Sequence, residues 1–380
     1  MIKSKDFSTV VASPYYRSGF VSPYRNRRLV LLKMALRALG SPLLFFMAQA
    51  SWQTTSKLVF FERRTSMTKK PTQTLIRRTV YLHRLKFFTV TFILALAIAP
   101  SGSGLASSPT KDAKNATADS RFATLDGMRV HYVNYGKGSE ALVLVHGWTC
   151  NVDNWRDQMP DFARRNRVIA IDLPGHGQSD KPQINYSMDL FARAVEAVLR
   201  DAKVKRAVLV GHSMGTPVAR QFYRKYPEQT LAIVVVDGAL QSFGNKAMMD
   251  SLIAGFRGAN YKEVAGQMLA AMSGPNLSAE ARERIKASFL NTPQHVVVSA
   301  MEGMADASIW GADKINVPVL AIMAKNPFYP PDLEQRYHSL APTLDFQMWD
   351  GVGHFIMMEK PKEFNAAVLA FLDKNKLLKK

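Results

Sequence analysis

The residues best suited to do chemistry lie in "VLVGHSMGTPVA", Val208 to Ala219. A β-type run ends in Gly211-His212-Ser213-Met214-Gly215, and a helix-type run follows it. The pattern G-x-S-x-G between a strand and a helix is that of a nucleophile elbow. Glycines on either side leave room for a sharp turn, and the strained serine raises its oxygen toward a pocket. The positive end of the following helix favours negative charge developing there. A serine hydroxyl is a weak nucleophile at neutral pH and needs a base. His354, in "DGVGHF" after the last strand-type run, is the candidate base, and its glycine neighbours suit a mobile loop. His212 is expected to point away from Ser213. His146 and His176 are expected to shape the pocket floor. His83, His131, His295 and His338 have no context that recommends them.

The elements that must position these residues alternate along the chain. "FATLDGMRVHYVNYG" reads as a β-hairpin with an Asp-Gly turn. Short apolar runs follow at 141–147, 167–175, 207–213, 231–238, 317–323 and 345–354. Runs with no polar face suit strands covered on both sides, as in parallel sheets. Helical spacing lies between them at 188–202 and 217–227, and again in the closing "PKEFNAAVLAFLDKN". Strand and helix in series predict an open α/β sheet, mostly parallel and flanked by helices. Residues 240–312 break the rhythm and read as several helices, a cap inserted between two core strands. Six methionines fall there: Met248, Met249, Met268, Met272, Met301 and Met304. Ordinary helix packing explains most of them, and flexible thioethers also suit apolar ligands of varied shape.

"HGW" at 146–148, "DLPGHGQSD" at 172–180, "GHSMG" at 211–215 and "GVGHF" at 351–355 occur in this order. In these motifs residues 121–380 resemble the α/β-hydrolase superfamily. The resemblance implies a serine nucleophile at Ser213, a base at His354 and an acid that orients the base. In that family the acid usually follows the penultimate strand, where this chain has Asn326 in "AKNPFYPPD". An asparagine can orient an imidazole but supplies no charge. The family's other location is the end of the strand after the elbow helix, which makes Asp237 the expected acid. Asn326 and Asp332 are the alternative positions. The oxyanion of a tetrahedral intermediate needs two backbone N–H donors, expected from Trp148 and Met214.

Charge narrows the function further. The chain of 380 residues carries a formal net charge of +20. Residues 1–120 hold 19 Lys and Arg against 4 Asp and Glu, and the remainder is nearly balanced. No basic stripe with interleaved aromatics follows position 120, so nucleic acid is not an expected partner. The single cysteine, Cys150, excludes an intrachain disulfide and a cysteine-based metal site. "FFTVTFILALAIA" at 87–99 follows Arg77, Arg78, Arg84 and Lys86 and precedes "PSGSGLASS". Such a run is short for a membrane span and has the order of a signal peptide, with cleavage expected after Ala106. An uncleaved anchor is the competing expectation. Residues 1–66 read as an extension, and Met67 is a candidate start. Residues 67–106 form the signal region and 107–120 a linker, in which Asn115-Ala-Thr117 matches a glycosylation sequon. The mature body is expected to be exported.

Together these features predict a serine hydrolase that cleaves a carboxylic ester, lactone or thioester through an acyl-enzyme. The Met-rich cap and Trp155, Trp310, Phe328 and Tyr329 lean toward a small, largely apolar substrate. No metal or organic cofactor is implied. An acyltransferase, a perhydrolase or a carbon–carbon bond hydrolase would use the same elbow. A binding protein that kept the fold without turnover is the alternative from another class.

Overall fold

The computed structural model describes residues 118–242, 246–327 and 329–378. The expected extension, signal region, sequon and most of the linker lie outside the described residues, as does Phe328. The fold begins with a hairpin, β1 (Asp119–Leu125) and β2 (Met128–Tyr135), paired antiparallel. Its turn residues Asp126 and Gly127 have φ of 49° and 82°. That is the mirror-image turn whose twist matches the flanking strands.

All six apolar runs are strands: β3 (Glu140–Val145), β4 (Val168–Ile171), β5 (Arg206–His212), β6 (Thr230–Val236), β7 (Val319–Ala324) and β8 (Leu344–Trp349). The sheet order is β1-β2-β4-β3-β5-β6-β7-β8. β2 joins β4 antiparallel, and every later neighbour is parallel. The side-chain period of two explains why these runs carry no polar face. Ala141, Val143 and Val145 enter one apolar core, while Leu142 and Leu144 enter the other.

Helices cover both faces. α1 (Met159–Ala163) packs on the second core, with α2 (Met188–Asp201) and α3 (Gly215–Lys225) on the first. Ser187 caps α2, its hydroxyl accepting from the Leu190 amide at 3.1 Å. That satisfies one of the amides a helix start leaves open.

Four helices stand between β6 and β7: α4 (Lys246–Arg257), α5 (Tyr261–Met272), α6 (Ala279–Leu290) and α7 (Gln294–Ala305). They form the expected cap. Met301 is buried, and Met249, Met268 and Met304 are partly buried against the first core. Met272 is partly buried against the second core, so packing accounts for five of the six methionines. α8 (Leu333–Leu340), α9 (Ile356–Glu359) and α10 (Pro361–Lys374) complete the chain, with α10 on the second core. No helix among the described residues is long and apolar enough to cross a membrane.

The helix that follows the elbow also grips both roots of the cap. Arg220 of α3 is buried and donates to the carbonyls of Leu240 and Gly311, one at each end of the insertion. It also meets the Asp313 carboxylate at 3.2 Å. One turn on, Arg224 donates to the Ile309 carbonyl at 2.6 Å and to Asp313 at 2.8 Å. Leu240 is buried and Gly311 exposed, so it is the Leu240 carbonyl that keeps its desolvation penalty when it loses a charged donor. Arg220→Met should therefore lower unfolding stability by roughly 2–4 kcal/mol, read from urea titration. An unchanged urea midpoint would refute the clasp.

Candidate active site

Ser213 closes β5 with φ of 52°. A non-glycine residue in this region costs of order 1–3 kcal/mol, so the surroundings must hold it there. Its amide donates to the Val236 carbonyl of β6, and its carbonyl accepts from the Thr216 amide, both at 3.0 Å. The Thr216 hydroxyl donates to the Gly211 carbonyl at 2.9 Å. The flanking glycines are needed for close approach. A Cβ at Gly211 would strike the Gly215 carbonyl, and one at Gly215 would strike the Val145 carbonyl of β3. The corner is thus wedged between β3 and β6.

Asp237 ends β6 and also has positive φ, 43°. Its Oδ2 lies 2.6 Å from His354 Nδ1. Its Oδ1 accepts from the Ala324 amide at 2.8 Å and the Tyr329 hydroxyl at 3.0 Å. Burial first, then the charge of Asp237, pushes the Tyr329 phenol upward, so it stays a donor. A proton on His354 Nδ1 for Asp237 leaves Nε2 with a free lone pair. His354 is 14% exposed against 2% for Asp237.

The backbone around His354 is pinned, where its glycines had suggested a swinging loop. The His354 amide donates to the Met272 carbonyl at 2.9 Å. Its carbonyl accepts from His212 Nε2 at 3.0 Å. His212 therefore turns toward the histidine loop, with ring centroids 4.7 Å apart. No hydrogen bond joins Ser213 and His354 directly among the described residues. Catalytic contacts are often loose without substrate and tighten when it binds.

The loop after β3 comes up against the same corner. A Cβ at Gly147 would lie 3.1 Å from Ser213 Cβ. Trp148 follows, then Thr149 with φ of 58°. The Trp148 and Met214 amides have no protein acceptor among the described residues. Trp148 Nε1 donates to the Val297 carbonyl of α7 at 2.9 Å. Its ring meets Phe256 and Phe289 of the cap edge-on, with centroids 4.7 and 5.9 Å away.

The profile of the alpha/beta hydrolase fold matches residues 140–361. The chain belongs to the α/β-hydrolase family. Over 130 residues, 34% of the chain, it is 35% identical to the dihydrolipoyllysine-residue acetyltransferase component of the acetoin cleaving system of Cupriavidus necator. It spans only about a third (35%) of that relative's length. It is 29% identical to the 2-hydroxy-6-oxononadienedioate/2-hydroxy-6-oxononatrienedioate hydrolase of Burkholderia vietnamiensis, over 64% of the chain and 91% of the relative. Among solved structures it is similar to Est816, an N-acyl homoserine lactone degrading enzyme. The TM-score is 0.60 at 29% identity, covering 66% of this chain and 99% of that one.

For an α/β-hydrolase the remaining predicted residues fall as follows. Asn326 is exposed in the loop after β7, and the acceptor on His354 Nδ1 is Asp237. Asp332 is exposed and pairs with Arg336 at 2.8 Å. Trp155 is core, packed on His212 and Phe364, and so is not placed to contact an apolar substrate. Trp310 is half-buried and donates to the Met304 carbonyl at 3.0 Å. His295 bonds the Pro182 carbonyl at 3.2 Å, His338 is exposed near Glu334, and His83 lies outside the described residues. Among the described residues no group of three or more His, Cys, Asp or Glu could hold a metal ion.

His131 was unmarked in the sequence, yet it lies in a second Ser–His–Asp array. Its Nδ1 is 2.7 Å from Asp172 Oδ2 and its Nε2 is 2.9 Å from Ser120 Oγ. Burial would raise Asp172. Hydrogen bonds from His131 and from the Gln178 and Val152 amides hold it below the usual range instead. Ser120 lies within the edge strand β1 and has no strained corner to lift it. This array fastens the hairpin to the 172–180 loop.

His146, His176 and His212 are fully buried, so the first two are packed and do not face a pocket floor. His146 accepts from the Leu173 amide on Nε2 and donates to the Gly147 carbonyl from Nδ1, which fixes a neutral tautomer. Burial lowers His146 and His212, and burial plus the neighbouring His146 lowers His176 to about 3. An unfolded chain takes up protons near pH 6.5 that these folded sites refuse. The unfolded state then binds more protons, so stability rises with pH up to about 6.5 and is lost as pH falls below it. The thermal midpoint should be lower at pH 5 than at pH 7.5, and an equal or higher value at pH 5 would contradict neutral burial.

Proposed function

We propose that this protein is a serine hydrolase that cleaves a carboxylic ester, lactone or thioester of a small, largely apolar substrate. Ser213 Oγ attacks the carbonyl carbon while His354 Nε2 takes its proton. Asp237 holds the other ring nitrogen and stabilises the imidazolium. The Trp148 and Met214 amides stabilise the oxyanion. Collapse expels the alcohol or thiol, which takes the proton from His354. Water, deprotonated by the same histidine, then releases the acid from Ser213. No step requires a cofactor.

The observation that supports this most is the 2.6 Å contact of Asp237 with His354 beside a serine held at φ of 52°. A relative named as a lactone degrading enzyme makes lactones a reasonable first substrate class to test. The elbow alone is equally compatible with acyl transfer to another acceptor, and product analysis separates the two. Export of the body is part of the proposal, and N-terminal sequencing of secreted material tests cleavage after Ala106.

A fluorophosphonate probe should label wild-type protein on the peptide that carries Ser213, and Ser213→Ala should abolish that label and ester turnover. Native protein that takes no label would favour a binding role. Asp237→Asn should lower kcat by about 10⁴-fold, because the histidine loses its oriented tautomer. Asn326→Ala should leave turnover near its starting level. Equal losses in these two variants would refute Asp237 as the acid.

A further inference from the structure

Glu359, at the end of α9, is a buried carboxylate that takes no part in the proposed chemistry. Its Oε1 accepts from the Gly353 amide at 2.9 Å and from the Gly274 amide at 3.2 Å. Gly353 precedes His354. Gly274 belongs to the connector between α5 and α6 of the cap. The two glycines lie backbone against backbone, and a Cβ on either would strike the other. Further bonds join the same segments. The His354 amide donates to the Met272 carbonyl at 2.9 Å, and Asn276 Nδ2 donates to the Gly351 carbonyl at 2.8 Å. Arg282 holds the connector from its far side through the Gly274 carbonyl, at 2.8 Å. Glu359 Oε2 is buried with no hydrogen-bond partner among the described residues. A buried, half-satisfied carboxylate is expensive, and such a group calls for a reason.

We infer that Glu359 is a positioning residue for His354, joining the histidine loop to the cap so that the 272–276 connector is the platform holding the base in place. The inference rests on the reading of His354 as that base. The imidazole itself is held from Asp237 and its carbonyl from His212, so Glu359 and Met272 fix the remaining freedom of the loop. A displacement of about 1 Å in a catalytic group can cost up to about a hundredfold in rate. The cap would thus have a part in the chemistry.

The test compares Glu359→Ala with Glu359→Gln, using a chromogenic ester and counting active sites with a fluorophosphonate. Glu359→Ala should lose about ten- to a hundredfold in kcat per active site, with KM changed little. Glu359→Gln keeps an acceptor oxygen for both amides and should restore most of that loss. If the alanine variant does not fold, Glu359→Asp, whose carboxylate is drawn back by one methylene, should show the same fall. A folded Ala or Asp variant with wild-type kcat per active site overturns the inference. So does a loss that comes wholly from fewer active sites, since that marks a brace for stability alone. His354→Ala is measured beside them. If it keeps turnover, the base assignment itself has failed. If it is inactive while the Glu359 variants turn over normally, only the positioning role falls.

Discussion

The bond between Asp237 and His354 is the constraint around which the site is arranged. Both oxygens of Asp237 are committed: one to the imidazole, the other to the Ala324 amide and the Tyr329 hydroxyl. These partners come from β7, the loop after it and the loop after β8, so one side chain on β6 fixes three neighbours. It is 2% exposed, in surroundings where an unpaired charge would be costly. The hydrogen bonds remove that cost and aim the imidazole in the same act. A shift of the loop after β8 would leave Oδ2 of this buried carboxylate without a donor.

Backbone strain recurs at this edge. Thr149, Ser213 and Asp237 follow β3, β5 and β6, and all three have positive φ. Parallel strands end side by side, so three strained turns bring the loop after β3, Ser213 and Asp237 to one place. Sheet and helix packing over two apolar cores supplies the stability that holds them. The cap is bound to the same edge. Trp148 reaches Val297, His354 reaches Met272, and Arg220 holds both roots of the insertion. In this α/β-hydrolase the lining of the site and its covering are mechanically one piece.

Much of this was legible in the sequence. The apolar runs fixed the strands because a doubly covered strand admits no polar face, and the Asp126-Gly127 pair marked the hairpin turn. The elbow could be read from five residues because its glycines answer a steric demand. The pairing of Asp237 with His354, 117 residues apart, was legible only through the family resemblance, since spacing alone does not join them. The glycines around His354 misled for a physical reason. Glycine permits both motion and close approach, and spacing alone does not distinguish them. Here it serves approach, as the contact of Gly353 with Gly274 shows. His212 and Glu359 left no signal, because each acts on main-chain groups that any sequence would possess. His131 and Asp172 were hidden likewise, 41 residues apart and joined only by the fold.

Cys150 sits two residues beyond Trp148, 3% exposed, with its thiol pushed up to about 12 chiefly by burial. At neutral pH such a sulfur offers almost no thiolate to an alkylating dye or to oxygen. The described surface is therefore silent toward maleimides. Cysteines introduced in pairs, one on the cap and one on the sheet edge, would be the sole sites of attachment, and spin or fluorescence labels there could follow the breathing of the cap without first deleting a native residue.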